Sequence, residues 1–166
     1  MTLDQDLDRI ARQEKRLQFE SFGLDTTWAV GARLRALAEA RGAAVAIDIE
    51  LNGWSVFFTA MPGATPDNAD WIRRKRNVVR RFQRSSYAIG LDLQKQGTTL
   101  TEKVGVEARD YAPHGGCFPI NLRGTGCVGL ITVSGLPQRA DHELIVEVLA
   151  ESLGQSYAEL ALESQA

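Results

Sequence analysis

Both histidines and both cysteines of this chain, His114, His142, Cys117 and Cys127, fall in one stretch of about thirty residues. A histidine changes charge near neutral pH, and its neutral ring ligates metals or haem. Proton transfer or ligation would therefore be assembled here. His114 precedes Gly115-Gly116, a pair that lets backbone approach a ligand closely or simply permits an unusual turn. His142 follows Asp141 at the start of a helical pattern, and two readings stand. In one, Asp141 orients the His142 ring as a metal or haem ligand or a proton-transfer group. In the other, Asp141 compensates the helix dipole and accepts backbone donors, while His142 is a satisfied histidine at the core edge. Two histidines without a third ligand at metal-site spacing predict no metal centre.

A third charged group joins them from elsewhere in the chain. In WIRRKRNVVRRFQR, residues placed 100° apart set Trp71, Ile72, Val78, Val79 and Phe82 on one stripe, with Lys75 in its middle and the arginines outside it. Lys75 either packs its methylenes and escapes to the edge, or reaches a pocket between helix and sheet. A pocket would require an acidic side chain or an anionic ligand group, because burying the ammonium unpaired is costly. Lys75, His114, Gly115, Gly116, Asp141 and His142 are the candidate ligand-binding residues. No catalytic role is assigned to any of them, and there is no Walker loop, dinucleotide fingerprint, nucleophile elbow or CxxCH haem signature.

The cysteines are read as free thiols. If Gly124-Thr125 turns between paired strands, Cys117 falls opposite Thr132, five residues along from Cys127. That is about 16 Å at roughly 3.3 Å per residue, beyond the ~7 Å reach of a disulfide.

The elements that must position these residues follow from periodicity. Helices are expected over residues 3–20 and from an Asp25 cap to Arg41, with Gly42 as the stop. VAIDIEL and WSVFFTA flank Asn52-Gly53, the pair favoured in a type I′ hairpin turn. In simple register Val45, Ile47, Ile49 and Leu51 share a core face with Trp54, Val56, Phe58 and Ala60. The other face, with Asp48, Glu50, Ser55, Phe57 and Thr59, is solvated or lines a polar pocket or an interface. Thr65-Pro66-Asp67 starts the helix carrying Lys75, and Ser85-Ser86 caps YAIGLDLQKQ. Residues 97–113 read as a loose lid or binding loop. Two strands, CFPINL and CVGLITVSG, lead into a last helix whose buried stripe is Ile145, Val148, Leu149 and Leu153. Pro119 marks an edge or a bulge, and Gly129 a place of close approach.

With 166 residues, 44% of them hydrophobic, the chain is read as one domain, 1–166. A net charge of -2 disfavours a general polyanion binder, although seven basic residues lie within Arg73–Arg84. No apolar run reaches membrane-spanning length, and the charged N-terminus lacks signal-peptide order, so a cytoplasmic protein is expected.

Three strings in order, WIRRKRNVVRRFQRSSY, DYAPHGGCFPI and VGLITVSGL with DHELIVEVL, resemble the haem-degrading-domain family related to HbpS and GlcG, in its branch designated uncharacterised protein family 0303. The resemblance implies an α+β, profilin-like α-β-α sandwich with a central antiparallel sheet of about five strands. It also implies homo-oligomers, dimers or larger rings. Four strands are identified directly, and the fifth is expected from Val104–Arg109. Two functions are carried forward. One is binding, and by extension degradation, of haem or another small anionic ligand in a pocket at the helix–sheet end. The alternative is a non-catalytic oligomeric scaffold, without a cofactor, in which HGGCFPI and the polar hairpin face make subunit contacts. Neither invokes nucleic acid or a membrane.

Overall fold

The structure is a computed structural model and describes residues 2–163. Seven helices, α1 (Leu3–Arg16), α2 (Leu24–Ala40), α3 (Pro66–Phe82), α4 (Ser86–Gln96), α5 (Leu100–Val104), α6 (Gln138–Ser152) and α7 (Tyr157–Leu160), accompany five strands. These are β1 (Gln18–Phe19), β2 (Ala46–Leu51), β3 (Trp54–Ala60), β4 (Cys117–Leu122) and β5 (Gly126–Ser134). The strands form one sheet in the order β1-β4-β5-β2-β3. α2 and α6 cover one face and α3 the other, giving an α+β sandwich.

The sheet is mixed rather than antiparallel, because its fifth strand is not where it was expected. Leu100–Val104 is a helix followed by a turn, and β1 instead pairs parallel to β4 through Gln18↔Asn121 and Phe19↔Leu122. The first helix ends at Arg16, so Leu17 and Phe19, read as its apolar face, are buried as an extended segment beside the sheet. A two-residue strand is too short to show a period of two.

The hairpin turns at Asn52-Gly53 with both φ values positive, 50° and 88°, as a type I′ turn demands. Beyond it a bulge breaks the register between Ile49 and Glu50. Ile49 then opposes Phe57 and Asp48 opposes Phe58, so Phe57 packs toward α2 while Phe58 is left exposed, as is Trp54. The expected core face is therefore corrected beyond the bulge: one extra residue flips every later side chain. Trp28 is exposed too. It lies 200° around α2 from Val30, and the buried stripe is Thr27, Val30, Gly31, Leu34 and Ala38.

The polar side of the hairpin is buried on β2 and exposed at Ser55 on β3. Asp48 and Glu50 are buried beneath α3, where Arg76 donates to Asp48 at 3.0 Å and Arg80 pairs with Glu50. Residues Gly115 to Ile120 are likewise buried in the chain's own fold. Of the two surfaces considered for subunit contacts, HGGCFPI exposes His114 and the polar hairpin face exposes Ser55. Cys117 pairs with Thr132 in the β4–β5 register and both cysteines are free. Burial pushes the Cys117 thiol up to about 12, which keeps it from acting as a thiolate nucleophile. Gly129 accommodates backbone, since a β-carbon there would run into the Glu50 carbonyl.

Candidate functional site

Helical phase delivers Lys75 from α3 to the end of β5, where it is 3% exposed. Its Nζ donates to Asp141 Oδ2 and to the Val133 carbonyl, both at 3.0 Å. Asp141, 1% exposed in the first turn of α6, also accepts Leu136 N–H on Oδ1 at 2.9 Å and Gly135 N–H at 3.4 Å. Burial pushes the Asp141 pKa up, while Lys75 and the two amides oppose that rise. The lysine charge is thus answered inside the protein, by a carboxylate that also fixes the chain entering α6.

The two glycines after His114 serve this packing. Gly116 has φ +123°, and a β-carbon there would lie 2.6 Å from Lys75 Nζ and meet the Val133 carbonyl. A β-carbon on Gly115 would run into the Gln138 carbonyl. Only glycine lets this loop lie flat against both the ion pair and the start of α6.

His114 stands at the mouth, exposed, with its ring 5.5 Å edge-on from Trp71. Partial burial, then Lys75 and Arg74, lower its pKa, which favours the neutral ring and its lone pair. It borders two depressions. One, of about 270 Å³, is walled by Lys75, Asp141, Asn68, Trp71 and Ser134. The other, of about 410 Å³, is more apolar, with Leu91, Leu93, Leu100, Tyr111 and Pro113 on its walls. Gln138 borders both.

His142 takes no part in either. It is fully buried between the Tyr87 and Phe118 rings, 5.2 and 5.8 Å away by centroid. Its Nε2 lies 2.8 Å from Gln13 Oε1. The Gln13 amide nitrogen already donates to the Leu160 carbonyl and to Glu143, so its oxygen accepts and His142 carries its proton on Nε2. Nδ1 is left buried without a partner, and burial pulls the pKa down to about 3. The reading in which Asp141 orients His142 is corrected: neighbours on a helix diverge by 100°, and the carboxylate is committed to Lys75.

A group that the sequence set outside the apolar stripe with the other arginines, and that was not among the candidate site residues, is Arg74. Arg73, Arg76, Arg80 and Arg84 all meet carboxylates. Among the described residues Arg74 meets none. Its NH2 donates to the Ala108 carbonyl at 2.9 Å, its buried Nε lacks a partner, and its guanidinium lies 4.6 Å over Trp71. It lines the larger depression. Its place directly before Lys75, at the border of the apolar stripe, was the available signal. No group of three or more His, Cys, Asp or Glu side chains among the described residues is placed to hold a metal ion. No helix among them is long and apolar enough to cross a membrane.

Residues 22–150 match the family described as haem degrading protein HbpS-like, and the chain belongs to that family. It is 61% identical to a UPF0303 protein of Azotobacter vinelandii (strain DJ / ATCC BAA-1303) over 166 residues, covering all of both chains. The crystal structure of Ybr137w protein superposes with a TM-score of 0.82 at 33% identity, over 89% of this chain and 87% of that one. That of a PduOC:Heme complex has a TM-score of 0.64 at 14% identity, over 78% and 94%, a likeness of fold alone.

Proposed function

We propose that this protein binds a small ligand with an apolar body and an anionic group, haem being the specific candidate, in the groove between α3, α4, α5 and the loop ending at His114. The observation that carries the reading is Arg74, a cation that meets no carboxylate among the described residues, on the wall of an apolar depression beside an exposed histidine whose pKa is lowered. The anion-recognising role thus passes from Lys75, whose charge Asp141 neutralises, to Arg74. Lys75, Asp141, Gly115 and Gly116 hold His114 in place as positioning residues, and His142 belongs to the core. Haem fits this set: Arg74 would meet a propionate, His114 would ligate iron, and the leucines and Tyr111 would cover the ring. Bound there, haem would supply a redox-active iron. The family description and the haem-bound neighbour support the choice of ligand. Action in the cytoplasm, as one domain and as a homo-oligomer, completes the proposal.

A haemin titration tests it. Saturable binding with a Soret band is expected, with the band displaced in His114→Ala and affinity about tenfold lower in Arg74→Ala, the equivalent of about 1.4 kcal/mol. His142→Gln is expected to leave the spectrum unchanged. Bleaching on adding reductant in air would extend binding to degradation. Nonsaturable binding, or identical spectra and affinities for wild type, His114→Ala and Arg74→Ala, would overturn the assignment. The cofactor-free scaffold would then be preferred, since Trp28, Trp54 and Phe58 expose apolar surface of the kind that contacts partners.

A further inference from the structure

The smaller depression, of about 270 Å³, takes no part in the ligand groove, although His114 and Gln138 border both. It is several times the roughly 30 Å³ that a water molecule occupies in the liquid, so it has room for a solute of a few heavy atoms. Its polar groups are arranged by depth. Lys75, Ser134 and Asp141, exposed by 3%, 4% and 1%, form the floor, and Asp67 stands exposed at the rim, on the first turn of α3. Lys75 and Asp67 are eight residues apart on one helix, yet they line the same space, because helical side chains lean toward the N-terminus.

The floor has unused donors. An ammonium carries three, and Lys75 engages two of them, with Asp141 and the Val133 carbonyl. Ser134 Oγ accepts from the Asn68 amide at 3.5 Å, and among the described residues no acceptor takes its own proton. Gln138 accepts the Gly115 N–H on Oε1 at 3.1 Å, which leaves its NH2 group free to donate. Asp67 is the opposite case. It meets no cation among the described residues, since Arg73, the next cation along α3, turns to Asp70 and Asp110. Donors without acceptors call for an oxyanion, but a bare anion is opposed. Lys75 and Asp141 cancel, Asp67 adds a negative charge, and the lowered pKa of His114 favours its uncharged ring.

We propose that the smaller depression binds a small zwitterion, an α-amino acid with a short side chain, its carboxylate on Lys75, Ser134 and Gln138 and its ammonium on Asp67. Such a ligand supplies the acceptor that the floor lacks and the cation that the rim lacks, and it adds no net charge. The assignment does not rest on haem binding, which concerns the other side of His114.

The test uses the full chain with Trp28→Phe and Trp54→Phe, two exposed positions outside the depression, so that Trp71 on its wall is the one tryptophan left to report by fluorescence. Without haemin, at least one of glycine, L-alanine and L-serine is expected to change that fluorescence saturably, with half-effect at about 10 mM or below. Acetate and methylamine are each expected to bind at least about tenfold more weakly. Asp67→Asn, checked for folding by circular dichroism, is expected to weaken the amino acid about tenfold and to strengthen acetate, a reversal that a structural defect does not produce. Ser134→Ala is expected to weaken both. No saturable response to any of the three amino acids, acetate binding as tightly as the amino acid, or an amino-acid affinity unchanged in either folded variant would overturn the assignment. So would loss of acetate together with the amino acid in Asp67→Asn.

Discussion

Lys75 and His142 are both buried and ionisable, and their surroundings differ: Lys75 is paired with Asp141, whereas His142 has no acidic partner and burial disfavours its charged form. Lys75→Met leaves Asp141 buried without its cation, so we expect a loss of about 3–5 kcal/mol in denaturant unfolding. Adding Asp141→Asn, which still accepts the Leu136 amide, is expected to recover part of that loss. A stabilised and functionally silent Lys75→Met would remove the pair from the account. For His142 the folded pKa is about 3 against an ordinary 6.5, so the unfolded chain takes up its proton first as pH falls. Its contribution is complete above pH 6.5 and fades between 6.5 and 3, by several kcal/mol in all. Asp141, which is buried, and the half-buried Glu14 and Glu143, all with pKa values raised by desolvation, act in the opposite sense. The comparison that isolates the histidine is therefore wild type against His142→Gln, whose stability is expected to fall less from pH 6.5 to 4. Lys75's burial was legible because helical phase is local. His142's role was not, since its partner Gln13 lies 129 residues away in sequence and no period connects them.

At the scale of elements, the loop from His114 to Cys117 is held by close backbone packing together with two side-chain acceptors, Gln138 Oε1 for the Gly115 N–H and Ser86 Oγ for the Cys117 N–H. Gly116→Ala combines a φ of +123° with a collision against the Val133 carbonyl. We expect a loss above about 1 kcal/mol in thermal unfolding. Because the loop carries His114, haemin affinity is expected to fall in the same variant, whereas Gly97→Ala, in open space at the end of α4, is expected to leave affinity unchanged. The glycine pair was visible in the sequence, as was the Asn52-Gly53 turn, because both are statements about backbone within a few residues. The bulge that reverses Phe57 and Phe58 was not. It depends on how β2 is pinned from its other side by β5, a constraint the hairpin does not contain.

Across the whole molecule, the segment shared with the family, residues 22–150, leaves out α1, β1 and α7. Those elements satisfy the core. Gln13 meets His142, Arg9 donates to the Glu159 and Ala161 carbonyls, and Leu162 packs with Ile10 and Tyr87. A chain of residues 22–150 alone is expected to lose cooperative unfolding in circular dichroism, with His142 left unsatisfied. Retention of a sharp transition would show the outer elements to be dispensable. Sheet order and layer arrangement were partly legible from the hairpins, but the closing of the two chain ends on each other was not, since terminal pairing leaves no periodic trace. The Gln13 amide, which joins His142 on one side to the Leu160 carbonyl on the other, has a consequence for synthesis. α1 is synthesised long before His142 and Leu160, the residues that complete its docking site. The amphipathic α1 therefore stays undocked until α6 and Leu160 have been made, and contacts this distant in sequence slow folding.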